Sequence, residues 1–265
     1  MHLTLRRRIS LLKGAIVAGL IASAVVLADR FGFSVFWAAP VVVGLAWYLN
    51  RRVATWVAIR AHHRFTALVE QKRTAEAHEL MHELRELYAG SVAALEQLRM
   101  NESLVYSTSG HHAQAIALLE SIDPERLSAP WRPWYLNNLA WSLAHAGQAA
   151  RAVAMARESI AASDAAGDAT VMREDLRAFQ LGTLGASLVL AGDAEDAVAP
   201  LEQSVARGGK PRHQAARAFY LGEALRALGR GDEARAAYDR AIGEAPDSEH
   251  GVKAKAALER LAIYR

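Results

Sequence analysis

The chain of 265 residues contains no cysteine and only seven prolines. Without cysteine it can hold no disulfide framework, iron–sulfur cluster or thiolate zinc site. Alanine is abundant, and because it is the best helix former, long stretches of the chain favour helix. Nucleotide and acyl-transfer motifs are also missing, since Gly208-Gly209-Lys210 lacks the rest of a P-loop and no serine stands in G-x-S-x-G. The sequence predicts an all-α protein that is not an enzyme and needs no cofactor.

Acidic residues are nearly missing from the first quarter of the chain. Residues 1–64 hold nine Lys and Arg and one acid, Asp29; removing these from the 31 basic and 28 acidic residues leaves 22 and 27. Residues 65–265 therefore carry a net charge of −5. Nucleic-acid-binding proteins need a basic surface to contact phosphates. We expect no nucleic-acid partner.

Two long apolar segments occupy the N-terminal region, at about 9–28 and 31–49. Each is about long enough to cross a hydrocarbon core roughly 30 Å thick. The second contains no charged residue, and few residues join the two. The sequence predicts a transmembrane helical hairpin in residues 1–50. A signal peptide over residues 1–28 is the alternative, and the second segment argues against its cleavage.

Basic clusters flank the hairpin on both sides. They comprise Arg6, Arg7, Arg8 and Lys13 before the first span, and Arg51, Arg52, Arg60 and Arg64 after the second. Because positively charged flanks stay in the cytoplasm, both ends of the hairpin are expected there. The alanine- and arginine-rich composition is typical of a bacterium. We therefore predict a multi-pass protein of the bacterial inner membrane whose soluble part faces the cytoplasm.

A spaced glycine signature runs through the soluble part. Gly110, Gly147, Gly192 and Gly229 are each followed five residues later by an alanine. Eight residues before the last three glycines stand Leu139, Leu184 and Leu221, each followed by a small residue: Ala140, Gly185 and Gly222. A glycine permits the turn between two antiparallel helices, and small residues lie where the helix axes approach most closely. The pattern predicts about four helix pairs.

These units resemble the tetratricopeptide repeat (TPR) family. The last unit matches best, with Leu221-Gly222, Leu225, Gly229, Ala234, Tyr238, Ala241 and Pro246, whereas the unit around Gly110 is degenerate. The resemblance implies a TPR-like α-solenoid over residues 95–247. Residues 51–94 are expected to form an amphipathic juxtamembrane or stalk helix, with Trp56, Val57 and Phe65 at the membrane surface, and residues 248–265 a capping helix. Pro124–Pro133 and Ala161–Met172 are expected to be lengthened linkers.

The resemblance also implies a concave groove that takes a peptide or helix of a partner protein. Asn101 and Asn138 stand where the family often uses asparagine to bond a ligand's main chain. The expected groove residues are Asn101, Trp134, Asn137, Asn138, Trp141, His145, Phe219, Tyr220, Glu223 and Arg226. The alternative is that Trp134, Trp141 and Phe219 only pack between helices. The family's basic clamp for acidic C-terminal tails is not matched, because Met100, Asn137, Gly182 and Phe219 occupy one of its positions.

One motif suggests chemistry. His78-Glu79-Leu80-Met81-His82 fits H-E-x-x-H, in which two imidazoles one turn apart share Zn²⁺ and the glutamate is the general base. No convincing third ligand follows, and no strands precede the helix. We expect surface histidines there without metal, and likewise at His111-His112. A zinc metalloprotease built on His78 and His82 is kept as an alternative function.

Together these patterns predict a membrane-anchored adaptor or scaffold that binds a partner protein through its repeats. A third alternative is a self-assembling structural membrane protein. Repeat arrays can stack end to end, and the small residues Gly14, Ala18 and Ala22 of the first span could dimerise. The sequence is compatible with a homo-oligomer as well as with a monomer.

Overall fold

The computed structural model of the chain describes residues 5–31, 35–71, 73–127, 129–167 and 173–263. Within these ranges the regular elements are helices and there is no strand, which confirms the predicted all-α class. The chain forms two compact units, one ending at Leu98 and the other beginning at Arg99. The boundary falls within helix α4 (Val92–Thr108).

The first unit contains α1 (Leu5–Phe31), α2 (Val35–Glu70) and α3 (Thr74–Leu87). In α1, Ile9–Phe31 is long and apolar enough to cross a membrane. The apolar part of α2, Pro40–Leu49, is shorter, and α2 continues through it to Glu70 without a break. Part of the predicted second span, residues 32–34, lies outside the described residues.

Helix α3 packs through a regular apolar stripe. Its buried residues are Ala77, Leu80, Met81 and Leu84, a spacing that places them on one face of a helix. Helix α2, which contacts α3, buries Phe65 and Val57. These two were expected at a membrane surface together with Trp56. Trp56 is exposed, and the guanidinium of Arg60 lies 5.1 Å from its ring centre.

The second unit is a series of antiparallel helix pairs. After α4 come α5 (His112–Glu120), a short 3₁₀ turn (Ala129–Trp131), α6 (Arg132–His145), α7 (Ala149–Ala166), α8 (Arg173–Ala191), α9 (Ala194–Ala206), α10 (Pro211–Ala227), α11 (Gly231–Glu244) and α12 (Glu249–Ile263). Each of α6, α8 and α10 packs against the next even-numbered helix, and these four form the inner layer of a TPR-like solenoid. Helix α7 extends to Ala166, so part of the expected linker Ala161–Met172 is helical.

The predicted turn glycines connect the helices of each pair. Gly147 and Gly229 have φ angles of 79° and 74°, which residues with a Cβ atom rarely adopt. The amide of the next residue closes each turn by donating to a carbonyl five residues earlier, Gln148 to Leu143 and Arg230 to Leu225, both at 2.9 Å. Gly110 and Gly192 adopt the same turn, with φ angles of 80° and 90°. The sequence assignment of these turns is confirmed.

The predicted small residues lie at the closest helix contacts. A Cβ atom on Gly222 would come within 2.5 Å of Cε1 of Tyr238, and one on Gly185 would collide with Leu201. Both Tyr238 and Leu201 are fully buried. The absence of a side chain at these two glycines therefore lets α10 and α8 approach the outer helices α11 and α9.

Candidate functional site: the inner face of the repeats

The expected groove residues of two helices meet in the second unit. Trp141 and His145 of α6 have ring centres 4.1 Å apart, and both contact Tyr220 of α10 edge-on, at 6.3 and 6.1 Å. Phe219 lies next to Tyr220, with ring centres 5.3 Å apart, and is itself buried. Trp141 keeps part of its surface exposed. The structure thus brings four of the predicted residues into one group.

Hydrogen bonds define the protonation of His145. Its Nδ1 lies 2.9 Å from the carbonyl oxygen of Trp141, which can only accept, so Nδ1 carries the hydrogen. Nε2 then accepts a hydrogen bond from the Tyr220 hydroxyl, also at 2.9 Å. Burial lowers the pKa of His145, and this outweighs the opposite effect of the bond to Trp141. Burial also raises the pKa of Tyr220, so both groups are neutral at physiological pH.

Two further histidines complete this group. His112 of α5 stacks on His145 with ring centres 5.0 Å apart, so the expectation of a solvated side chain was wrong for His112, while His111 is exposed. His250 of α12 lies 5.5 Å from Tyr220 and 6.5 Å from Trp141. The six residues are called the inner aromatic cluster: His112, Trp141, His145, Phe219, Tyr220 and His250.

The histidines of the inner aromatic cluster are held neutral. Burial lowers the pKa of His250 to about 4, although the nearby Glu249 acts in the opposite direction. Burial also lowers the pKa of His112, again against the effect of Glu249. Nδ1 of His112 and Nε2 of His250 are buried without a hydrogen-bond partner among the described residues. Protonation of either ring therefore destabilises the folded state.

Trp134 belongs to a second group on the inner helices. Its ring centre lies 5.7 Å from that of Phe179 in α8, which in turn is 4.8 Å from His213 in α10. The guanidinium of the buried Arg217 lies 5.2 Å from the centre of the Phe179 ring and donates to the Gly208 carbonyl at 2.7 Å. Burial lowers the pKa of Arg217. Sequence reasoning missed Phe179, His213 and Arg217.

The polar groove residues differ in accessibility. Asn101 and Asn137 are only 7% and 5% exposed, whereas Asn138 is half-buried. The buried Oδ1 of Asn137 has no hydrogen-bond partner among the described residues. Glu223 is already engaged, because the Tyr238 hydroxyl donates to it at 2.6 Å and Arg226 at 2.9 Å. Asn138, Trp134 and Trp141 of α6 therefore combine a position on the inner layer with partial exposure.

The H-E-x-x-H motif lies on α3. His82 is exposed, and its Nδ1 lies 3.8 Å from the carboxylate of Glu86. Within the part of the chain that the structure describes, no three histidine, aspartate or glutamate side chains are arranged to hold a metal ion. His78 and His82 thus have no third ligand in these ranges.

Sequence reasoning also missed the inward side of α12. His250 belongs to the inner aromatic cluster, and Lys253 and Arg260 face Phe219 and Tyr220 across a shared pocket. Their spacing places them on one helix face, and α12 follows Pro246 where the inner helix of a further repeat would begin. Extending the repeat pattern of the sequence by one inner helix would have placed these side chains on the inner layer.

Antiparallel helix pairs joined by left-handed glycine turns, with small residues at the closest contacts, define the tetratricopeptide repeat class. Residues 87–264 match the family model described as the SusR N-terminal TPR domain. Because this match spans more than half of the chain, the chain belongs to the TPR_SusR family. The match includes α12, which lies beyond the four repeats found in the sequence.

A solved structure shares the fold. Bacillus thuringiensis PlcR, in complex with the peptide PapR7 and DNA, is 16% identical, with a TM-score of 0.58 over 88% of this chain and 81% of that chain. The TPR-like repeats of Podosopora anserina are 19% identical, with a TM-score of 0.48 over 72% of this chain and 95% of theirs. A search of the curated proteins found no match.

Proposed function

We propose that the chain is a membrane-anchored adaptor that binds a peptide or helix of a partner protein along its inner helices. The observation that carries this proposal is the row Trp134, Asn138 and Trp141 on one face of α6. These side chains are partly exposed while they lie on the layer shared with α8 and α10. Aromatic residues at such positions commonly supply most of the binding energy of an interface.

The fold supports a protein ligand. TPR-like repeats are typical of protein–protein interaction, and PlcR was solved with a bound peptide. We propose that Asn138 bonds the main chain of the ligand, with Trp134 and Trp141 packing against its side chains. The proposed activity is binding alone, since TPR folds usually act as adaptors without catalysis.

Membrane attachment is the second part of the proposal. The apolar segment Ile9–Phe31 supports one span, and the apolar beginning of α2 supports a second that completes the hairpin. Exposed apolar side chains along both helices, such as Leu11, Val26, Val41 and Trp47, suit contact with lipid. The basic flanks would keep the repeats in the bacterial cytoplasm.

A matched pair of variants tests the groove. Asn138→Arg places a long cation on the inner face, and Ala154→Arg places the same residue on an exposed position of the outer helix α7. Crosslinked proteins are recovered from native membranes with each variant and with the unmodified chain. We expect a partner that is lost only with Asn138→Arg. Equal recovery by all three folded proteins would contradict groove binding.

A further inference from the structure

An open pocket of about 380 Å³ lies on the inner face between α8, α10 and α12. This volume falls within the range of roughly 300–1,000 Å³ found for ligand pockets. Its apolar walls come from Val189 and Leu190 of α8 and from Phe219 and Tyr220 of α10. Leu190 remains 45% exposed, so its side chain is accessible at the mouth of the pocket. The walls can accept one large apolar side chain.

Helix α12 supplies a charged edge to the same pocket. Lys253, Ala256 and Arg260 repeat at three- and four-residue intervals and therefore face the pocket from one side of the helix. Nε of Arg260 donates to the carbonyl of Ala256 at 3.2 Å. Among the residues that the structure describes, no carboxylate forms an ion pair with Arg260. Its positive charge is therefore available to a ligand.

The acidic residues nearby neutralise only part of this edge. Glu223 also lines the pocket, but its two oxygens accept from Tyr238 and Arg226, and Arg226 balances its charge. Glu249 pairs with Lys253 at 2.6 Å, and both side chains are about half exposed, so this pair can exchange partners at little cost. An apolar pocket with an unmatched cation at its rim is complementary to an apolar side chain accompanied by a carboxylate.

We propose that this pocket binds an internal segment of the partner protein that carries one large apolar residue close to an aspartate or glutamate. The apolar side chain enters between Leu190 and Phe219, and the carboxylate pairs with Arg260 and, by exchange with Glu249, with Lys253. The inference rests on the proposed groove function and extends the groove to α12. The family's clamp for acidic tails lies within the repeats, whereas these two cations lie on α12, which follows the four repeats.

The test uses the full-length chain in mild detergent and a phage-displayed library of short random peptides without free carboxyl ends. Enriched peptides are then synthesised, and their affinities are measured by fluorescence anisotropy. The expected peptides combine leucine, isoleucine, phenylalanine or methionine with a nearby acid. Raising the salt concentration weakens their binding, because the contact at the rim is electrostatic and partly exposed.

Three variants locate the binding. Arg260→Glu reverses the rim charge and is expected to weaken binding roughly five- to tenfold, and Leu190→Asp by at least as much. Lys255→Ala removes an exposed cation of α12 that does not line the pocket, and is expected to leave the affinity unchanged. Helical circular dichroism confirms that each variant is folded.

The outcomes separate this pocket from the groove as a whole. Enriched peptides without acids, or unchanged binding to Arg260→Glu, would overturn the pocket proposal. Peptides that bind Arg260→Glu normally but are lost with Asn138→Arg would leave the groove function standing without the pocket. If no peptide binds, the pocket proposal falls, and the proposed function is then judged by recovery of its partner from membranes.

Discussion

The hydroxyl of Tyr220 in α10 donates a hydrogen bond to Nε2 of His145 in α6, at 2.9 Å and across 75 residues of sequence. This bond joins the last turn of one inner helix to the middle of another, with α8 packed against both. The inner aromatic cluster therefore links the second helix pair directly to the fourth. It stabilises the same inner face on which we place the partner.

Removing this bond should cost a measurable part of the stability. Tyr220→Phe leaves Nε2 of His145 buried without its donor, and we expect a loss of about 1 kcal/mol in the free energy of unfolding. In a double-mutant cycle with His145→Phe, the coupling energy should be about 0.5–1.5 kcal/mol. Urea unfolding followed by circular dichroism measures both. Equal effects of Tyr220→Phe in the two backgrounds would show that the bond contributes nothing.

The close contact at Gly222 predicts opposite effects for two glycine-to-alanine substitutions. Gly222→Ala forces Tyr238 to move, and we expect a loss of about 1–3 kcal/mol. Gly243 of α11 has open space around it, so Gly243→Ala should instead stabilise the helix by up to about 1 kcal/mol. For a domain of this size, 1 kcal/mol shifts Tm by roughly 2–4 °C. Thermal melts that move together in the same direction would contradict the packing account.

Burial of His250 predicts a pH dependence. Its pKa falls from an ordinary value of 6.5 to about 4 in the folded chain, so the unfolded chain takes up the proton first as the pH decreases. The stabilisation is complete above pH 6.5 and is lost as the pH falls towards 4. Between neutral pH and about pH 5 we expect His250 to contribute a loss near 1–2 kcal/mol, and His250→Phe should remove this contribution.

The measurement is the urea midpoint of each protein at several pH values. His112 and His145 act in the same direction, because burial lowers the pKa of both, so the variant should keep part of the dependence. Glu249 and Lys253 face these rings in both proteins, and the pKa of Glu249, which Lys253 mainly lowers, changes only by the part that His250 contributes to it. Identical pH profiles for the two proteins would show that His250 does not titrate in this range.

The glycine pattern alone was enough to predict the helix pairs. The left-handed turn at Gly147 and the close helix contact at Gly222 each need a glycine at that position, so the sequence alone indicates both. The inner aromatic cluster could not be predicted in full, because His112, His145 and His250 meet only through the stacking of successive pairs. The buried Arg217 was missed for a different reason, because its partner is the carbonyl of Gly208 and not an acidic side chain.

The absence of cysteine makes the membrane hairpin directly testable. Single cysteines at Arg30, at the end of the first proposed span, and at Ser109, exposed between α4 and α5, report accessibility without background. In intact cells, a membrane-impermeant maleimide should label Arg30→Cys and should leave Ser109→Cys unlabelled until the cells are opened. Labelling of both in intact cells, or of Ser109→Cys alone, would contradict the proposed orientation.

We place a partner protein on the inner face of the repeats, and photocrosslinking in native membranes tests this placement. A benzophenone amino acid is placed at the half-buried Asn138 of α6 or at the exposed Ala154 of α7. Groove binding predicts a specific crosslinked protein from position 138 that is weak or missing from position 154. The same crosslink from both positions, or a crosslink from position 154 alone, would contradict the claim.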